Sequence, residues 1–295
     1  MNALNLQPAK GLGRVRSHGD TDAALLATGA VGAAVFTVLI TASADVYQAV
    51  TSSSGLSGLD GPTLDLAISL RTPDRNQWVT AFTHLGSAIP MAFIALTLTA
   101  TMYLHWRRRA IPLLMVIAAT GSLLFTSVGK TVVGRARPPH YLAVPPYEYA
   151  PSFPSGHTLN STVIALMAAY FAWWLSEKLW VRILCPALGG LWATAMGLSR
   201  VYLGHHWITD VIFAWLLGLA WLALLITVHQ ILLRLDDHGR RTEIQTTQPA
   251  NHGAQGHSAG SLRRRPSRMH CDISASWWTC RLLSWSNTRR RTSAV

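Results

Sequence analysis

Six runs of apolar residues, free or nearly free of charge, recur along the chain: Ala23 to Ala44, Val79 to Leu104, Ala110 to Gly129, Thr158 to Leu175, Ile183 to Ser199 and Val211 to Leu233. Each approaches the ~20 residues a helix needs to cross a hydrocarbon core ~30 Å thick, so the pattern predicts six transmembrane helices in an all-α bundle. The fourth and fifth runs sit at the short end of the usual range of about 17 to 25 residues. A buried-core helix is their alternative, but charged and turn residues flank both as they flank membrane helices. Between the first two runs, "SSSGLSGLDGP" has the composition of a loop, and "TLDLAISL" suits a short interfacial helix.

Those boundaries divide the chain into an N-terminal segment 1–22, a six-helix membrane domain 23–235 and a tail 236–295. No internal repeat and no second soluble domain is apparent. The first run follows Lys10, Arg14 and Arg16, and "ASA" at 42 to 44 resembles a signal cleavage site. Its length exceeds the 7 to 15 residues or so of a signal h-region, which predicts a retained helix.

Composition supports the membrane reading. Of 295 residues 50% are hydrophobic and 13% charged, with mean hydropathy +0.26; soluble domains carry about 25% charged residues. The net charge of +12 could suggest nucleic acid, but Asp236 to Val295 holds ten arginines and four acidic residues, so this tail supplies +6 (10 − 4). No nucleic-acid partner is expected. The tail, Arg-rich and Ser/Thr-rich with Trp277, Trp278 and Trp285, is expected to be disordered and to associate with anionic headgroups. Removing residues after Arg241 should leave catalysis intact. Cys185, Cys271 and Cys280 form neither a disulfide framework nor a metal spacing.

Positive residues collect in cytoplasmic loops. Lys10, Arg14 and Arg16, then Arg107, Arg108 and Arg109, then Lys178 and Arg182, then Arg234, Arg240 and Arg241 all fall on one side. Both termini are therefore expected in the cytoplasm. The other side holds fewer cations: Arg71 and Arg75 among Asp60, Asp65 and Asp74, then Lys130, Arg135, Arg137 and Arg200. Insertion does not favour them there, so they are either tolerated or bind an anion.

Three polar clusters converge on that outer side. "KTVVGRARP" ends the third run, and Lys130 and Arg137, seven residues apart, would lie two helical turns apart near one face before Pro138 and Pro139 stop the helix. Alone this is an ordinary basic helix end. "PSFPSGHTLN" opens the fourth, with Ser155 as N-cap, Gly156 allowing close backbone approach and His157 in the first turn, where unpaired N–H groups suit a phosphate oxygen. A plain capped helix start is the alternative. In "SRVYLGHHWITD", His206 and Asp210 are four apart and would share a face if the sixth helix starts near His206, and Arg200 adds a cation. Here an interfacial belt with Asp210 as a cap is the bland account. Together the clusters hold three cations, a helix N-terminus, two histidines and an orienting carboxylate. That inventory suits phosphoryl chemistry, in which cations neutralise charge spreading over the transferring group.

The motifs K-x6-R-P, P-S-G-H and S-R-x5-H-x3-D resemble, in full and in order, the three signatures of the type 2 phosphatidic acid phosphatase superfamily. With the six helices the resemblance covers Ala23 to Leu235. It implies that His206 attacks phosphorus to form a phosphohistidine while Asp210 fixes its tautomer. His157 would protonate the leaving oxygen and later activate water. Lys130, Arg137 and Arg200 would grip the phosphate, helped by Ser155 and the backbone N–H of Gly156. Motif spacing gives the nucleophile's role to His206 rather than His205. No metal and no cofactor is implied, because the cations replace one and no carboxylate cluster is present.

The family also includes soluble haloperoxidases and acid phosphatases, which six apolar spans exclude. The chain is similar instead to bacterial integral-membrane members, in the plasma or inner membrane, that dephosphorylate lipids from the outer side. The expected activity is hydrolysis of a membrane lipid phosphate at an extracytoplasmic site, with undecaprenyl (polyprenyl) diphosphate in cell-envelope recycling the first substrate to test. Phosphatidic acid and phosphatidylglycerophosphate are alternatives. A non-catalytic anionic-lipid binder or transporter would need the cations but has no use for His206, Asp210 and a second histidine.

Overall fold

A computed structural model describes residues 18–247, with side chains placed from residue 23 to residue 236. Eight α-helices follow one another: α1 His18–Ser52, α2 Asp60–Ser69, α3 Pro73–His84, α4 Ala88–Trp106, α5 Ala110–Val133, α6 Gly156–Leu175, α7 Leu179–Tyr202 and α8 Ile208–Thr247. Single turns of 3-10 helix lie at Gly55–Leu59 and His140–Leu142. No strand occurs among the described residues. Six of the helices, α1 and α4 to α8, are long and apolar enough to cross a membrane. The protein is an integral membrane protein of the all-α class. Lys10, Arg14, Arg16, Cys271, Cys280 and the three tail tryptophans lie outside the described residues.

Three local departures from the sequence reading have physical causes. The run Val79 to Leu104 is two helices, with the break at Leu85–Ser87. A Cβ on Gly86 would lie 2.6 Å from Met196 Sδ and 3.1 Å from His157 Cδ2. Only a bare backbone fits there, and Ser87 then starts α4 in an extended conformation. Before the break, α3 has its own start, with Thr72 accepting a hydrogen bond from the Arg75 N–H at 3.3 Å and Pro73 at the first helical position. Secondly, α5 ends at Val133, where Gly134 adopts φ of 60°. That left-handed cap turns the chain out of the helix four residues before Pro138, so Arg137 stands on an irregular segment and not two turns above Lys130. Thirdly, part of the expected loop "SSSGLSGLDGP" is helical, since α2 begins at Asp60. At the far end α8 runs past the expected boundary at residue 235, to Thr247.

The bundle is organised around α6. Leu159, Val163, Met167 and Phe171, spaced four apart on one stripe, are all 0% exposed. They pack with Ile111, Met115 and Ala118 of α5 and Ala214, Leu222 and Leu225 of α8. Helix α7 packs along α6, and α1 packs along α8. Because the spans alternate in direction, the C-terminal ends of α1, α5 and α7 share one end of the bundle with the N-terminal ends of α4, α6 and α8. That end carries all three polar clusters.

Candidate functional site

His206 is buried in the turn between α7 and α8. Its Nε2 lies 3.1 Å from Arg137 Nη1. A guanidinium only donates, so Nε2 is the acceptor and the ring proton belongs on Nδ1. There it faces Asp210 Oδ2 and Ser152 Oγ, each at 3.3 Å. Asp210 in the first turn of α8 is fully buried. Its Oδ2 accepts from the Trp207 backbone N–H at 3.0 Å, the reach-back half of a capping box, and from the Ser152 hydroxyl. Its Oδ1 accepts from Arg135 at 2.5 Å.

Arg135 does not stop there. Its other Nη pairs with Asp60 Oδ2 at 2.5 Å. Asp60 in turn accepts from the backbone N–H of Thr209 at 3.1 Å and from its hydroxyl at 2.9 Å. A chain of ionic and hydrogen-bonded contacts therefore runs from α2 through Arg135 and Asp210 to the imidazole of His206. Trp207 covers it, with the Arg135 guanidinium 5.6 Å from its ring centroid.

Lys130 and Arg137 are held from behind by main-chain oxygens, and Arg200 by a side-chain hydroxyl. Arg137 donates to the carbonyl of Ala150 at 2.6 Å and to that of His205 at 2.5 Å. Lys130 donates to the carbonyl of Pro151 at 2.5 Å. Arg200, in the last turn of α7 and only 1% exposed, donates to the Thr83 hydroxyl at 3.1 Å. Across the front, one carboxylate bridges two of them: Glu148 Oε2 lies 2.8 Å from Arg137 and Oε1 pairs with Arg200.

These surroundings set the protonation states. Burial, reinforced by Arg137 and Arg200, pushes the His206 pKa well below the usual histidine value, so the ring is neutral at pH 7. His205 falls to about 4, mainly through burial and then through Arg200. Burial alone would raise Glu148, but Arg200 and Arg137 outweigh it and hold the carboxyl at about 2.

Lys130, Arg137, Arg200, His157, His206 and Asp210 share one end of the bundle, and Glu148 links Arg137 to Arg200 there. Ser155 stands at the N-cap of α6, but its buried hydroxyl shares a hydrogen bond of 2.9 Å with Thr158 and does not cap the helix. Gly156 opens the helix, and a Cβ there would meet Thr126 Cγ2 at 2.9 Å. His205 points its Nε2 at the Val144 carbonyl, 2.8 Å away, and is a strut for the loop. Asp60, Arg135, Glu148 and Ser152 were missed as site residues. Glu148 had a signal, being the only acidic residue between Arg75 and Ser176. Among the described residues no three His, Cys, Asp or Glu side chains are grouped as a metal site would need.

A family model described as PAP2 superfamily matches residues 109–234. Phosphatidylglycerophosphatase B of Bacillus subtilis (strain 168) is 30% identical over 178 residues, which are 59% of this chain and 85% of that protein. An undecaprenyl-diphosphatase of Sulfolobus acidocaldarius is 34% identical over 139 residues, 45% of this chain and 62% of the relative. Among solved structures, a transmembrane PAP2-type phosphatidylglycerolphosphate phosphatase from Bacillus subtilis superposes with a TM-score of 0.58 at 25% identity, covering 68% of this chain and 96% of that one.

Proposed function

Since the chain belongs to the PAP2 superfamily and is a membrane lipid phosphate hydrolase, we propose that it works through a phosphohistidine on His206, without metal or cofactor, at the extracytoplasmic face. The observation that carries this reading is the lone pair of His206 Nε2, aimed at Arg137, the guanidinium that Glu148 bridges to Arg200. A phosphate held by Arg137, Arg200 and Lys130 presents its phosphorus to that nitrogen. The Nε2–P bond forms as the bond to the leaving oxygen breaks, and His157 supplies that oxygen's proton. Asp210 stabilises the positive charge that grows on the imidazole, while the cations neutralise charge on the phosphoryl oxygens. Water then attacks phosphorus, His157 takes its proton, and the P–N bond breaks to release inorganic phosphate.

The orientation follows from charge. Arg107 caps α4, Arg109 precedes α5, Arg182 lies in the first turn of α7 and Arg234 near the end of the apolar span of α8. All are at the bundle end opposite His206, and this bias supports a cytoplasmic location for that end and an external one for the site. The six-helix unit 23–235 carries the whole catalytic set. At this depth a headgroup reaches the cations while its tails stay in lipid.

Undecaprenyl diphosphate is the substrate we put first, with phosphatidylglycerophosphate and phosphatidic acid as rivals; hydrolysis of a diphosphate would leave the lipid monophosphate. Supplying each lipid to purified protein and counting released phosphate should show one preferred by at least about tenfold in kcat/KM. Equal release by wild type and His206→Ala would overturn the mechanism.

Gly86 offers a test of how His157 is placed. Gly86→Val must push on Met196 and His157. We expect kcat to fall about 10^2-fold, the scale of an ångström's misplacement of a reacting group. An unchanged kcat in folded protein would show that His157 is not the proton donor.

A further inference from the structure

Glu148 occupies the place where a phosphate would bind. Its two oxygens take the donors of Arg137 and Arg200, and Arg137 in turn donates to His206 Nε2 at 3.1 Å. Its side chain is 32% exposed, far more than the 8% and 1% of its two arginine partners. The loop is fastened on either side of it. Val144 pairs with Leu203 and His205, and Ala150, Pro151 and Ser152 bind Arg137, Lys130 and Arg135's backbone oxygen respectively. Between these anchors Pro145, Pro146, Tyr147 and Tyr149 are all exposed. Tyr147 and Tyr149 both pack on His140, so Glu148 leaves the cradle by rotating its own side chain between them, and its carboxyl is ionised throughout the physiological range.

We propose that Glu148 is a tethered occupant of the phosphate cradle, a binding-site residue that every ligand must displace and that sets the intrinsic affinity a ligand needs in order to enter. This rests on the assignment of Arg137 and Arg200 as phosphate ligands. A phosphodiester carries one negative charge on two free oxygens, the same charge and acceptor count as the carboxylate it would replace. A terminal phosphate carries close to two charges on three oxygens, and the cradle offers three cations. A tethered competitor reduces every ligand's apparent affinity by one common factor, the fraction of molecules whose cradle is open. Weakly held diesters, which make up the bulk of a bilayer, then fall below useful occupancy. Terminal phosphates, with greater intrinsic affinity, still enter.

Calorimetry on the full chain at pH 8 tests this without requiring turnover. Inorganic phosphate and dimethyl phosphate are titrated into wild type, Glu148→Gln and Glu148→Asp. Glu148→Gln should tighten both ligands by the same factor, about tenfold or more, and Glu148→Asp should remain near wild type. In micelles, phosphatidylglycerol should inhibit monoester hydrolysis by Glu148→Gln at mole fractions that leave wild type unaffected. Unchanged or weakened binding in Glu148→Gln would overturn the proposal, making the residue an aligner of the arginines, and so would tightening confined to one ligand. A wild type that binds phosphate with equal affinity after Arg137→Gln would instead sink the assignment of the cradle itself.

Discussion

His206→Ala should lower kcat by about 10^4-fold or more, because it deletes the atom that bonds to phosphorus and no neighbouring group can replace it. Phosphate binding should survive within a few-fold, since Lys130, Arg137 and Arg200 remain. Labelled substrate quenched in acid or base should leave base-stable label on wild type and none on the variant. A folded variant that retains the wild-type rate would end the phosphohistidine account. The pH dependence follows from the same site. The His206 pKa is depressed, so its neutral, nucleophilic form dominates at pH 7 and is lost only well below the ordinary histidine range. Expressed per dianionic substrate, the acid limb of kcat/KM, which reports the free nucleophile, should therefore lie well below pH 6.5, while any alkaline limb reports the proton donor. An acid limb near 6.5 that Glu148→Gln leaves in place would show that burial and the arginines do not set this group's charge.

Arg135→Met should have the largest effect on stability. Asp60 and Asp210 both lean on this one guanidinium, at 2.5 Å each, and Asp210 has no exposure at all. Removing one partner from a buried ionic set costs about 3–5 kcal/mol, because it leaves charge that nothing neutralises. Unfolding of the purified protein in micelles should register that loss. Asp60→Asn in the same chain should recover part of it by removing one of the two stranded charges. Strict additivity of the two substitutions would mean that Asp60 and Asp210 are not coupled through Arg135. Arg135→Met should also slow turnover, since it frees the carboxylate that orients His206.

Much of this architecture was legible in the sequence, and the misses have identifiable causes. Six apolar runs correspond to six spanning helices because, in lipid, length and hydrophobicity decide the structure with little help from tertiary context. The break in the second run was hidden because Gly86 and Ser87 are apolar enough to blend into it. The close approach of Met196, more than a hundred residues away, favours glycine at the break. The motifs located Lys130, Arg137, His157, Arg200, His206 and Asp210 because each is spaced within a single segment. Asp60 and Glu148 carry no such spacing. One reaches the site from the segment after α1 and the other from a proline-rich loop, so their roles arise only from long-range closure. Arg137 was placed on the right segment and the wrong backbone, since Gly134 ends the helix first.

The loop from residue 139 to residue 152 holds Arg71, Arg137 and Lys130 through peptide oxygens. Leu142 accepts from Arg71, Ala150 from Arg137 and Pro151 from Lys130. A carbonyl oxygen is present whatever side chain its residue bears. Substitutions such as Leu142→Val or Ala150→Ser can thus reshape the rim that meets an arriving headgroup while the grip on the guanidinium and ammonium groups stays as it was. The chain is built so that preference among lipids can drift faster than the chemistry performed on them.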